Sequence, residues 1–412
     1  MGCVTDPESA VSPLLTHVAG ASAQDGTGVG GVTARHYGEP LVEQLRLERG
    51  PGVVDGWDRT AVLVTGPEAA TWLNTLTSQK LDALATGAAT SSLILDIQGR
   101  VLHHFGVSAL PDGLLLDTPT AAADALAGYL RSMVFWAKVE VTVPDLTRLT
   151  VVGAPGTPGR CGTGSPADPV VPGAVAWTSR RLGGYDAVDV WVPRDGVTAA
   201  WDALTAAGVR PTGALAGRAL RIRDRLPVLG EDTDDRVIPH EVPAFMGPGA
   251  TGPTRLADAA DGPSDGAVHL NKGCYRGQET VSRVQNLGRP PRSLVMIHLD
   301  GTANRLPAPG EPVVGGGRTV GRAGVAVHDA EEGPVVLALV KRAVLDALAA
   351  ASDLTVTGTG PVRYEERFPG SLTAWTVRFI DGAQVSVGCQ YREATEERRR
   401  ACEAVTWTVV KR

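Results

Sequence analysis

Lysine is nearly missing from this sequence: a chain of 412 residues carries 5, against 34 arginines. The formal net charge is −6. With no basic excess to hold a polyanion, direct nucleic-acid binding is not expected. Cysteine is sparse too. Cys3, Cys161, Cys274, Cys389 and Cys402 are odd in number, widely spaced and free of any Cys-x-x-Cys pair. That excludes a disulfide framework and the usual zinc spacing, and it fits reduced thiols in a cytoplasmic protein. No apolar run approaches the ~20 residues of a membrane span. The first residues lack a basic region followed by an apolar one, so no secretory signal is expected.

What is present fits a globular protein. Hydrophobic residues at 43% suffice for real cores, and charged residues at 20% suffice to cover them. The length predicts two or three domains. Residues 1–36 are rich in Gly, Ala, Ser and Thr and predict a flexible segment. Its Gly26-Thr-Gly-Val-Gly-Gly31 follows no strand and opens no helix, so it does not read as a dinucleotide loop.

Asp58–Thr65 predicts a strand. Thr65-Gly-Pro-Glu68 has the capping-box pattern, with a helix over 68–76 that sets Trp72, Leu73 and Leu76 on one face. Strands are expected at Ser91–Asp96, Val101–Val107 and Gly113–Asp117, then a helix at Ala121–Ser132 and a strand at Ala137–Val143. Gln98-Gly99-Arg100 turns the first of these strands into the second. Residues 154–173 read as a long Pro/Gly loop. A strand at Tyr185–Pro193 and a helix at Val197–Ala207, closed by Gly208, follow. Strands and helices mix without regular alternation, so the class is α+β. Arg218, Arg221 and Arg225 would share one side of a helix that also carries Arg223. They read either as a solvated face or as an anion-binding wall. Short β segments at 294–299, 311–314, 318–327 and 335–340 predict a small antiparallel barrel or sandwich. A hairpin around Asp381-Gly382 and a charged helix over 393–403 close the chain.

The densest chemistry is His269-Leu-Asn-Lys-Gly-Cys-Tyr-Arg-Gly-Gln-Glu-Thr280. Charged residues are rarely buried unless paired, so this is no ordinary core segment. Gly273 and Gly277 permit a tight bend or a close approach. Cys274 sits between Lys272 and Arg276, cations that favour a thiolate. It reads equally as a small, inert hydrophobe.

Residues 272–279, Lys-Gly-Cys-Tyr-Arg-Gly-Gln-Glu, resemble the signature of the YgfZ family of folate-binding proteins, relatives of the aminomethyltransferase (T-protein, GcvT) of the glycine cleavage system. Gly66, Glu68, Leu73-Asn74 and Gln79, the run from Leu226 to Glu241, and residues 280–292 are similar to that family as well. The resemblance covers roughly residues 40–345. Read alone, Asn74 and Gln79 fit a solvated helix end, and His240 and Glu241 a surface loop.

The resemblance implies a three-domain ring. Two α+β subdomains occupy 37–285, with roughly 66–148 inserted in the other. An antiparallel β-barrel occupies 286–360, and 361–412 form an extension without an assigned role. It implies tetrahydrofolate or a related folate in the central channel. Cys274 and Lys272 are then the reactive groups, and Tyr275, Arg276, Gly277, Gln278, Glu279, Glu241 and Asn74 hold the folate. One cysteine cannot ligate a cluster alone. The implied function is therefore to assist assembly or repair of iron–sulfur clusters in client enzymes, through transient contact by a monomer with no metal site of its own. An aminomethyltransferase is the first alternative. Where that subfamily carries Gly-Gly-Ile-x-Asp-Asp, this chain reads Gly99-Arg-Val-Leu-His-His104, so histidines replace the acidic pair. A tRNA-modification factor, acting directly or through iron–sulfur enzymes, is the second.

Overall fold

In the computed structural model the strand Gly52–Gly56 pairs directly with Leu146–Gly153, antiparallel. The chain between them leaves to build a sheet of its own. The structure describes residues 11–23, 33–47, 49–153, 171–247, 263–299, 305–315, 318–348, 354–356, 362–366, 374–380 and 384–390. The Gly26–Gly31 run, Cys3, Cys161, Cys402, the 393–403 helix and the side chain of Cys389 lie outside them.

The first sheet has the order Ala176–Leu182, Tyr185–Pro193, Leu146–Gly153, Gly52–Gly56, Arg210–Thr212. Only its last pairing is parallel. The second sheet is formed by Ala89–Leu95, Val101–Leu110, Gly113–Pro119, Arg59–Thr65 and Glu140–Thr142, all antiparallel. The helix Thr120–Ser132 buries Ala123, Leu126, Ala127 and Leu130 in that sheet's core. This i, i+3, i+4, i+7 spacing is what one buried helical face requires. The third sheet is eight-stranded and antiparallel, with Arg318–Asp329, Gly333–Lys341 and Arg292–Leu299 at its centre. It does not stop at residue 360. Val362–Glu366 pairs with Arg292–Leu299, and Ala374–Ile380 and Gln384–Gln390 add the expected hairpin.

The α+β class therefore holds, and several local expectations need correction. The capping box does not form: the helix spans Ala69–Leu76, and Glu68 instead accepts the backbone N–H of Lys138 at 2.8 Å. The strand expected over 137–143 is only Glu140–Thr142. The arginine helix is Ala214–Arg223, and Arg225 lies beyond it with φ 54°. Part of the segment expected to be flexible is built in, with Leu14 fully buried beside Trp57 and Trp201. One core joins the units. It gathers Leu93 and Leu95 of the second sheet, Ala219 and Ile222 of the arginine helix, Tyr275, and Leu294, Met296 and Leu337 of the third sheet.

Candidate functional site

A cavity of about 1240 Å³ opens between the first and second sheets, the helix Ala214–Arg223 and the loops 226–235 and 263–266. Its wall carries a ladder of alternating charges. Arg59 Nε donates to Asp117 Oδ1 at 2.9 Å. Arg148 Nη1 donates to Asp117 Oδ2 and, at 3.1 Å, to Asp189 Oδ2. Arg180 donates to Asp189 twice, Nε to Oδ2 at 2.7 Å and Nη2 to Oδ1 at 3.1 Å. Thr150 Oγ1 completes the shell of Asp189 at 2.6 Å.

Strand register builds the ladder. Asp189 lies opposite Thr150 on one side and Thr178 on the other. Cross-strand partners share a face, so the three side chains form a row. Ser108 of the second sheet then meets Thr178 at 3.0 Å and ties the two sheets at the cavity wall. Gly56 makes room for the central arginine, since a Cβ there would meet Arg148 Cγ at 2.7 Å. Burial opposes the Asp189 charge, but Arg148 and Arg180 outweigh it and hold the carboxyl well below the ordinary range. Burial likewise opposes the Arg148 charge, and Asp117 and Asp189 overcome it. The ladder holds three guanidiniums against two carboxylates. The buried Nε of Arg148 has no hydrogen-bond partner among the described residues. Within the ladder the guanidiniums outnumber the carboxylates by one, and Asp58, which also lines the cavity, acts on both Arg59 and Arg148.

His103 and His104 also line this cavity. His104 stacks on Phe245 with ring centroids 4.6 Å apart, and His103 faces Tyr129 at 6.2 Å. Burial, with Arg59 adding to it, pulls His104 down to about 4. It is a neutral imidazole at neutral pH, where the transferase pattern would place a carboxylate.

Arg218 and Arg221 of the expected anion-binding wall line the cavity, whereas Lys272, Cys274–Glu279, Glu241 and Asn74 do not. The structure divides them. Lys272 is buried and its Nζ donates to the carbonyls of Asn74, Thr77 and Gln79 at 2.5, 2.5 and 3.0 Å. It caps the chain leaving the helix Ala69–Leu76, where carbonyls lack intrahelical partners. Burial pulls it to about 8. Asn74 turns its Oδ1 to the N–H of Leu81 at 2.9 Å. Tyr275 is a core residue whose phenol burial pushes up. Gly277 has φ 80° and caps the helix Gln278–Leu287. A Cβ there would lie 2.6 Å from the carbonyl oxygen of Asp96, so the motif closes against the hairpin of the second sheet. Gln278 opens that helix half-buried. Cys274 and Arg276 are exposed. Glu279 is exposed as well and pairs with Arg283 one turn on, at 3.1 Å. Glu241 is buried and bidentate to Arg292, at 2.7 and 2.8 Å.

Gln79 is no solvated helix end. It is fully buried, and its amide nitrogen reaches Gly266 O at 2.6 Å and Ser264 Oγ at 3.1 Å. It pins the loop 263–266 to the cavity rim. The ladder residues went unread in the sequence. Their signal is one charge set in an apolar strand, as in Leu114-Leu-Leu-Asp117 and Val188-Asp-Val190. Such a charge must be paired.

No family model matches the chain. An aminomethyltransferase of Stenotrophomonas maltophilia is 29% identical over 229 residues, covering 50% of this chain and 61% of that protein. An aminomethyltransferase of Bordetella petrii is 28% identical over 222 residues, covering 50% and 60%. The chain thus spans about 60% of the length of these curated relatives. The crystal structure of the glycine cleavage system aminomethyltransferase T from Bartonella henselae superposes with a TM-score of 0.63 at 20% identity, covering 87% of this chain and 94% of that one. The chain has the aminomethyltransferase (GcvT-like) fold.

Proposed function

We propose that this chain binds tetrahydrofolate or a closely related folate in the central cavity. The observation that carries the reading is the charge ladder on the wall of a cavity of about 1240 Å³, in a chain with the aminomethyltransferase fold. The space exceeds the ~300–1,000 Å³ of sites for drug-sized ligands. Folate presents a pterin edge of paired donors and acceptors and a tail of carboxylates. Asp117, half-buried on the ladder, suits the first, and the guanidiniums of Arg59, Arg148 and Arg180 suit the second. On the cavity face of the second sheet, the imidazole of His104, held against the ring of Phe245, suits the ring system.

The relatives favour one-carbon transfer of the aminomethyltransferase type as the reaction at this site. In that reading the ladder orients the folate and excludes water from it. His104, neutral and stacked, leaves the neighbouring strand without the acidic pair. The test supplies an aminomethylated carrier protein and tetrahydrofolate and follows methylene-tetrahydrofolate. Turnover abolished by substitutions in the ladder supports transfer. Folate binding without turnover rejects it and keeps the binding role.

A second reading has its own observation, the exposed thiol of Cys274. It lies outside the cavity and within reach of a partner. Such a thiol fits transient contact with iron–sulfur clients or assembly proteins, as the YgfZ-like motif implies. Cluster-dependent enzyme activity in cells lacking the protein, restored by wild type and not by Cys274→Ala, supports it. Equal restoration removes it. An indirect effect on tRNA modification would follow the same pattern.

A further inference from the structure

A second cavity, of about 400 Å³, lies where Ala34–His36, the helices Pro40–Arg46 and Ala214–Arg223, and the strand Arg318–Asp329 meet. The charged residues of its lining are both arginines. Arg35, His36, Arg218 and His328 face it, and no Asp or Glu does.

Arg218 is the informative residue. The helix Ala214–Arg223 carries three arginines, and buried carboxylates match two of them. Arg221 meets Asp232 at 2.6 Å, and Arg223 meets Asp329 at 2.6 and 2.7 Å. Arg218 is half-buried and makes no hydrogen bond or ion pair among the described residues. Burial pulls its pKa down, and Glu231 acts on it only at longer range. A partly desolvated guanidinium without a partner calls for an anion. His36 adds a donor. Its Nδ1 accepts the N–H of Gly38 at 3.1 Å, which leaves the proton on Nε2.

The rest of the lining is apolar, with Leu41, Leu215, Leu306 and Val327. A bare inorganic ion would leave those walls empty. We infer that this pocket binds a small organic carboxylate, its charge at Arg218 and Arg35 and its hydrocarbon body against Leu215 and Val327. Arg218 also lines the central cavity, so the two spaces share a wall. The carboxylate has two sources: a free molecule, or the acidic end of a ligand seated in the central cavity. The second source rests on the folate reading; the pocket itself does not.

Calorimetry on the full chain separates these. The probes are glutarate, a γ-linked glutamate trimer, and tetrahydrofolate with one glutamate or with several. Saturable 1:1 binding of glutarate or the trimer is expected. Arg218→Gln weakens it about tenfold or more, the worth of one charged hydrogen bond. Leu41→Trp, which fills the pocket from its half-exposed rim, does the same and leaves the one-glutamate folate unaffected. Extra glutamates that tighten folate binding in the wild type but not in Leu41→Trp identify the tail as the source. If the trimer binds but extra glutamates change nothing, the source is a free molecule. No carboxylate binding, or binding unchanged in both natively melting variants, overturns the inference. Should tetrahydrofolate itself not bind, the folate reading fails while the glutarate titration still decides the pocket.

Discussion

Arg180 grips Asp189 through two parallel hydrogen bonds, Nε to Oδ2 at 2.7 Å and Nη2 to Oδ1 at 3.1 Å. Arg148 donates to the same carboxylate and on to Asp117, so one buried acid anchors two arginines of the cavity wall. Removing one partner of a buried pair strands the others. Asp189→Leu should therefore lower stability by about 3–5 kcal/mol, read as a shift of the urea midpoint.

Lys272 holds a chain reversal. Its ammonium serves three carbonyls, and the neighbouring Thr77, Ser78 and Gln79 are fully buried. Lys272→Met keeps the aliphatic stem and removes the donors. About 3 kcal/mol of stability should be lost. A melting temperature equal to wild type would contradict this placement.

The strands and helices of 58–132 were legible because their periodicity is local. Trp72, Leu73 and Leu76, or Ala123 through Leu130, repeat at helical spacing within one segment. The strand Gly52–Gly56 was not, since it is short and set among glycines, and its partners lie at 146–153 and 210–212. The capping box failed because Glu68 found a better donor in the N–H of Lys138, far along the chain. The motif 269–280 was legible as unusual. Its division of labour was not, because the carbonyls that hold Lys272 lie nearly two hundred positions away. The ladder was hidden for the same reason, since each strand shows only one of its charges.

His104 gives a pH signature. Its folded-state value is about 4 against an ordinary 6.5. Between those values the unfolded chain binds more protons, so this residue's contribution to stability is complete above pH 6.5 and is lost as pH falls toward 4. The full loss is roughly 3 kcal/mol. Asp55 runs the other way: burial raises it to about 7, so its contribution falls as pH rises from 3.8. The His104→Phe variant isolates the histidine. Subtracting its urea-derived stabilities from those of the wild type should leave a curve that rises from pH 4 to 6.5 and is flat above. A flat difference throughout would contradict a neutral, half-buried imidazole.

Cys274 is free and exposed. Cys274→Ser should change stability by no more than about 0.5 kcal/mol, the usual range for surface positions. It should leave folate binding unchanged, because the thiol does not line the central cavity. A loss of folate affinity without a loss of stability would place the motif at the ligand after all.

Folate is proposed to occupy the space between the two sheets. Titrating tetrahydrofolate into the wild type and into Ala122→Trp tests it most directly. Ala122 lines the cavity on the helix Thr120–Ser132, away from the charge ladder. A tryptophan there obstructs the space and leaves every ion pair in place. Saturable 1:1 binding to the wild type and at least tenfold weaker binding to the variant are expected, at an unchanged melting temperature. No binding to the wild type, or equal binding to both, would contradict it.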